Sequence, residues 1–164
     1  MKTEREMTVC FTGHRSYAGT GDEAVAASVR RLYESGFRIF ITGMAPGFDL
    51  AAGECVLSLR DELPGLRLHC AVPFAGHGKR LGEAVRSRYE RILECADDVV
   101  VLSPRYDVRV YHRRNDYMVD RSSVVVAWFD GTPGGTAYTV LRAVRQGLDI
   151  ENLWRGGLFS ELEF

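Results

Sequence analysis

The run Asp130-Gly131-Thr132-Pro133-Gly134-Gly135-Thr136 brings three glycines and two threonines together just ahead of a helical pattern. Backbone N–H groups with no Cβ beside them, at the positive end of a helix dipole, make a ready binding place for phosphate or another anion. A Pro-Gly turn between two elements needs only one of these glycines; the others point to a ligand that approaches the main chain closely. Two further segments offer related chemistry. Thr12-Gly13-His14-Arg15 supplies a hydroxyl, free amides and a guanidinium able to clamp an anion. In it, His14 is either a proton acceptor or a residue that shapes the loop. Gly43-Met44-Ala45-Pro46-Gly47-Phe48-Asp49 has two glycines four residues apart, which permit a tight turn against a ligand. Asp49 then serves as a helix N-cap, as an acceptor for a ribose hydroxyl, or as both, with Glu54 following inside the helix. None of these segments is the G-x-G-x-x-G dinucleotide fingerprint.

Residues 111–122 are dense in polar groups: Arg113, Arg114 and Arg121 stand with Asn115, Asp116 and Asp120 beside the apolar Met118 and Val119. On a solvated face they would form an ion-paired surface helix. Placed next to the last strand ends, the same helix would carry Arg114 and Asn115 to the anion cradle.

Gathering these loops requires a particular scaffold. Short apolar runs at 7–11, 37–42, 66–72, 98–102 and 124–129, rich in Val, Ile and Phe, read as strands. They are continuous rather than alternating, as parallel strands covered on both faces are. Helical periodicity fills the intervals at 21–35, 50–62, 82–96, 111–122 and 136–146, and Gly36 and Gly147 stand where C-terminal caps belong. Regular alternation of strand and helix predicts an α/β fold: one doubly wound, mostly parallel sheet with helices on both faces, in a single domain over residues 1–164. A short tail from about Asn152 is expected to pack on the body. Ligands of such sheets lie beyond the carboxyl ends of the strands, where all three glycine-bearing loops fall.

Composition narrows the function further. The 164 residues are 46% hydrophobic and carry a net charge of -1, enough for one buried core and too balanced for a general polyanion binder. Nineteen of the 21 basic residues are Arg, only Lys2 and Lys79 being Lys; this is either a compositional bias or a preference for forked contacts to phosphates and carboxylates. Cys10, Cys55, Cys70 and Cys95 are scattered singly, without zinc-ligand or disulfide-scaffold spacing, and read as reduced core residues, so no metal site is expected. With no apolar leader before the first strand and no membrane-length apolar run, the sequence reads as a cytoplasmic protein that keeps clear of membranes. Trp128, Trp154, Phe159 and Phe164 are candidates either for the core or for a homo-oligomer contact.

Taken together, TGHR, GMAPGFDLAAGE, RNDYMVD and DGTPGGTAYTV, in that order and spacing, resemble the YpsA-like proteins of the SLOG superfamily. The resemblance implies a Rossmann-like domain that binds a nucleotide or nucleotide-derived ligand. It also implies kinship with the DNA-processing protein DprA, which binds single-stranded DNA, and with LOG-type phosphoribohydrolases. The latter cleave the N-glycosidic bond of nucleoside monophosphates with an Arg on the fourth helix and a Glu just after the glycines. Arg114 falls on that arginine and is the candidate catalytic residue, whereas Tyr138 or Thr139 occupies the glutamate position. Neither can stabilise an oxocarbenium-like centre or activate water as a carboxylate does, so hydrolysis would need Asp49, Glu54, Asp116 or Asp130 instead. A second departure lies after the third strand, where PFAGHGKRL carries His77 and Leu81 in place of the family's Gln and Trp; His77 and Lys79 are expected to add phosphate contacts.

The favoured reading is therefore a binding protein, a sensor or regulator without turnover. Its ligand would be a nucleotide, an NAD-related compound or an ADP-ribose-type molecule held by Thr12, Gly13, His14, Arg15, Gly43, Gly47, Asp49, Glu54, Arg114, Asn115, Asp130, Gly131, Gly134, Gly135 and Thr136. The alternatives are a phosphoribohydrolase-like enzyme, and DprA-like binding of single-stranded DNA through Arg105, Arg109, Arg113 and Tyr106 or Tyr111.

Overall fold

A computed structural model of the chain describes residues 1–154. Six parallel strands form one sheet: β1 Thr8–Gly13, β2 Ile39–Thr42, β3 Arg67–Val72, β4 Asp98–Val101, β5 Val124–Trp128 and β6 Asp149–Asn152, in the spatial order β4-β3-β2-β1-β5-β6. The helices between them are α1 Asp22–Glu34, α2 Phe48–Leu59, α3 Glu83–Cys95, α4 Val110–Asp120 and α5 Gly135–Arg145. Side chains alternate along each strand, so every inner strand feeds two cores. Val9 and Phe11 of β1, Phe40 of β2, Leu68 and Cys70 of β3 and Val126 of β5 meet Val25, Val29, Val56 and Ile92 from the first three helices. Cys10, Ile41, Ala71, Val125 and Ala127 face the other way, onto Met118 and Val119 of α4 and Val140 and Ala143 of α5. Strands buried on both faces explain the continuous apolar runs in the sequence.

Both expected caps form. Phe37 donates to the carbonyl of Leu32 and Gly36 to that of Tyr33, with Gly36 at φ 105°. Leu148 and Gly147 repeat the pattern on Ala143 and Val144, with Gly147 at φ 77°. This pair of hydrogen bonds around a left-handed residue is the Schellman motif, and it returns the chain toward the next strand.

Three expectations change. A sixth strand that the sequence reading did not expect precedes the tail, which lies almost wholly outside the described residues: Asp149–Asn152 pairs with β5 from Val124↔Asp149 to Ala127↔Asn152. Its DIEN sequence carries no apolar run because an edge strand is half solvated. The opposite edge, β4, is also less covered than its valines imply, Val99 and Val101 being exposed. Finally, Cys10 and Cys70 are core residues, but Cys55 is half-buried and Cys95 exposed; all four are free thiols. Trp128 packs at the core, edge-on to Tyr17 at 5.0 Å and stacked on Phe48 at 6.4 Å, whereas Phe159 and Phe164 lie outside the described residues.

Gly47, at φ 86°, is the tightest junction between loops: a Cβ there would sit 2.5 Å from the carbonyl oxygen of Arg15 and 2.6 Å from that of His14. The site-bearing loops after β1 and β2 thus cross with no room for a side chain. Gly47→Ala is expected to destabilise the protein by about 2–4 kcal/mol in urea unfolding, from the left-handed backbone plus displacement of the loop.

Candidate functional site

Strands β2, β3 and β4 are laid down to one side of β1, and β5 and β6 to the other. Adjacent connections therefore leave β1 and β5 toward opposite faces, which opens a crevice at their carboxyl ends. A cavity of about 380 Å³ occupies it. Thr12, Gly13, His14 and Arg15 line it from the end of β1, Ala45 and Asp49 from the loop entering α2, and Gly134, Gly135 and Thr136 from the loop entering α5. Helix α4 closes the wall with Tyr111, His112, Arg114 and Asn115. Four segments far apart in sequence thus meet, as the sequence reading required.

Arg114 is the centre of this arrangement. It is buried, its Nη1 donating to the carbonyl of Gly43 at 3.0 Å and its Nε to Asn115 Oδ1 at 3.1 Å. Burial lowers its pKa, while the nearby Asp49 carboxylate opposes that shift. Gly43 does not line the cavity but makes it possible: a Cβ there would lie 2.9 Å from Arg114 Cδ and 3.0 Å from Asp49 Oδ2. Asp49, also buried, accepts from the Ala45 N–H at 3.2 Å. It does not cap its own helix, whose N-cap position is Gly47 and has no side-chain cap bond. Desolvation raises the Asp49 pKa to about 6 against the opposing pull of Arg114, the Ala45 amide and Arg15. Both guanidiniums also approach the Tyr111 ring, Arg15 at 5.9 Å and Arg114 at 5.4 Å from its centroid. Such contacts stabilise a cation without neutralising it.

The glycine rim is open. A Cβ on Gly134, at φ 142°, would meet nothing within 4 Å, and one on Gly135 would come no nearer than 4.0 Å to Asn115 Nδ2. Gly135 and Thr136 are the first two residues of α5, so their amides belong to the uncapped first turn. His14 shapes the neighbouring loop: its Nε2 accepts from the Asp130 N–H at 3.0 Å and stands 2.8 Å from Asp130 Oδ1.

Other sequence candidates stand outside the cavity. Asp130 is turned into its own loop, Oδ1 accepting from Thr132 N at 2.9 Å and Thr132 Oγ1 at 2.6 Å, bonds that lower its pKa. Gly131, at φ 91°, turns the chain behind it. Glu54 points to another cleft, between the first three helices, where it pairs with Arg88 at 2.5 Å. Glu54 falls away because it lies on a different face of α2 from Asp49, five residues and well over one turn later. His77 is buried and bonded to Tyr89 Oη at 3.0 Å; burial, with Arg114 and Arg15 adding to it, lowers its pKa to about 4. His77, packed edge-on to Tyr111 at 6.1 Å, supports that ring and lines a separate groove rather than the cavity. Exposed Lys79 borders a separate groove beside β4. Thr139 is buried and bonds the Gly135 carbonyl, and Tyr138 donates to Asp116 Oδ1 at 2.8 Å.

Ala45 and His112 are lining residues that sequence reasoning missed, and Tyr111 entered only as a stacking alternative. Ala45 carries no chemical signal; His112 had one, its position two residues before Arg114 on the same helix. Among the described residues, no group of three or more His, Cys, Asp or Glu is gathered for a metal ion, and no helix is long and apolar enough to cross a membrane.

Comparison with known proteins agrees with this fold. The model of the YpsA proteins, described as the YspA SLOG family, matches residues 5–152. The chain is 31% identical over 128 residues to the uncharacterized SPbeta prophage-derived protein YoqJ of Bacillus subtilis, covering 71% of this chain and 74% of that one. A UPF0398 protein of Bacillus cereus is 30% identical over 157 residues, covering 93% and 85%. Among solved structures, DNA processing protein A of Streptococcus pneumoniae superposes with a TM-score of 0.66 at 20% identity, over 88% of this chain but only 49% of that one. The Helicobacter pylori protein, whose structure concerns its single-stranded DNA binding mode, gives 0.63 at 18% identity over 89% and 64%. At such identities the likeness is one of fold.

The Asp49 shift has a measurable sign. Because its carboxyl titrates near 6 in the folded protein and at 3.8 when unshifted, the folded state holds the proton more tightly between those values. The Asp49 contribution to stability is thus greatest at low pH and falls by up to about 3 kcal/mol as pH rises from 4 to 6. Denaturant unfolding across that range should show Asp49→Asn gaining on the native protein as pH rises, and the two curves running parallel above pH 7.

Proposed function

This chain belongs to the YspA SLOG family, and we propose that it binds a nucleotide or nucleotide-derived small molecule across the carboxyl ends of β1 and β5, acting as a sensor or regulator. The observation that carries the reading is the pairing of an open glycine rim at the start of α5 with two guanidiniums, Arg15 and Arg114, on one cavity. Amides at a helix N-terminus and a nearby Arg are complementary to phosphoryl oxygens. Asp49, the carboxylate among the lining residues, would accept a ribose hydroxyl once ionised. At about 380 Å³ the cavity falls in the size range of small-molecule sites.

Binding without cleavage is favoured over phosphoribohydrolysis by what stands at the glutamate position. Tyr138 and Thr139 supply no carboxylate, and Asp116, the nearest acidic partner, is engaged by Tyr138 and by Arg142 at 3.2 Å. A nucleic-acid reading draws on a different observation: Arg105, Tyr106 and Arg109 are exposed on the loop leading into α4. Stacking and backbone neutralisation by such residues give affinities that fall steeply with salt.

Two measurements separate these readings. In a thermal-shift and calorimetry panel of nucleotides, NAD-related compounds and ADP-ribose, a true ligand at 100 times its Kd stabilises the native protein by about 2.7 kcal/mol. Gly135→Leu fills the cavity from a position with free space, so it should abolish that shift while changing unliganded stability by about 1 kcal/mol or less. A panel with no stabilising compound, together with tight, salt-sensitive binding of a labelled oligonucleotide, would replace this reading with the nucleic-acid one. Release of free base during incubation would replace it with the hydrolase reading.

A further inference from the structure

A cationic cradle accounts for phosphate but not for what tells a nucleotide from a bare sugar phosphate. Three aromatic rings line the cavity, those of His14, Tyr111 and His112, and His14 is engaged by Asp130, whose N–H it accepts at 3.0 Å. Tyr111 is already in use: Arg15 and Arg114 stand over its ring, and Phe74 and His77 meet it edge-on at 6.3 and 6.1 Å. His112 is different. Its imidazole lies flat on the ring of Tyr138, with centroids 4.1 Å apart and planes 3° from parallel. Among the described residues, that is its ring contact.

The stack is held rigidly from behind. Tyr138 Oη donates to Asp116 Oδ1 at 2.8 Å, and Asp116 in turn meets Arg142 Nε at 3.2 Å. These bonds fix the phenol of α5 against α4. His112 lines the cavity whereas Tyr138 does not, so the pair offers its imidazole to whatever enters. His112 is also exposed, and its accessible surface can be covered by a ligand at little cost in protein rearrangement.

From this geometry, and resting on the nucleotide reading of the cavity, we propose that His112 is the base platform of the site: a purine base stacks on its imidazole, extending the His112–Tyr138 pair to three layers. A flat, pre-ordered π surface accepts a base with little loss of side-chain freedom, and two fused rings overlap it better than one. Tyr138, one of the two residues that fall where the hydrolases carry glutamate, thus acquires a use here. Tyr138 supports the platform and brings no carboxylate to the glycosidic bond, which is consistent with holding the base attached. Tyr138 is in this sense a positioning residue, acting through His112.

The test compares AMP with ribose 5-phosphate, which has a hydroxyl in place of the base, by calorimetry on the native protein, His112→Ala and His112→Phe. The native protein is expected to bind AMP about ten-fold or more tightly than ribose 5-phosphate; His112→Ala should erase that preference while holding ribose 5-phosphate within about two-fold, and His112→Phe should keep AMP within about three-fold of native. The platform is overturned if His112→Ala binds AMP as the native protein does, or loses both ligands alike. If native protein binds ribose 5-phosphate but shows no preference for AMP, the platform fails and the nucleotide cavity stands as a phosphate site. If native protein binds neither, the reading of the cavity fails and the platform with it.

Discussion

A buried guanidinium has to be matched, and the match made for Arg114 organises this molecule's upper face. Removing a cation from water costs several kcal/mol unless carbonyls and an opposing charge replace the lost hydration. Here the Gly43 carbonyl, the Asn115 side chain and the field of Asp49 do so. That requirement propagates. Position 43 must lack a Cβ, because one would press on both Arg114 and Asp49. Asp49 must be buried close by, and its carboxyl consequently titrates well above the usual aspartate range. The loop between them is held in an uncommon shape, with Met44 at φ 63° and fully buried. A left-handed non-glycine residue costs about 1–2 kcal/mol, and it persists where surrounding packing over-determines it.

The same arrangement makes the cavity positive and keeps it open. Arg114 is anchored by its bonds before any ligand arrives, so an anion entering does not have to order it. Arg15 shares the Tyr111 ring with it from the other side of the crevice loops. Opposite polarities converge on one small volume: two guanidiniums, helix-start amides, one carboxylate and the imidazole of His112. Preorganisation of this kind reduces the entropy lost on binding.

Neither the fold likeness to DNA processing protein A nor the family match assigns a ligand by itself. Parallel sheets of this order serve many ligands, so architecture alone does not assign one. What is particular to this chain is Tyr138, backed by Asp116 and Arg142, with His112 stacked upon it. An ion-paired network takes up Asp116, one of the acidic groups that could have compensated, and Asp130 is spent on its own turn.

Much of this was legible in the residues themselves. Periodicity located five strands and five helices, because parallel strands buried on both faces and amphipathic crossovers write their burial directly into composition. Gly36 and Gly147 announced their caps, since few other residues tolerate that backbone. Glycine clusters at strand ends marked three of the four cavity walls. The sequence could not reveal β6, whose polar DIEN run gains strand character only from pairing with β5. Nor could it reveal that Asp49 would bond Ala45 rather than cap α2, that Glu54 would turn to Arg88, or that His77 would be neutral behind Tyr111. Those outcomes depend on which groups from distant segments come within a few ångströms. Local pattern governs which elements form; desolvation and partner choice, which set charge state and side-chain direction, exist only once the elements have packed.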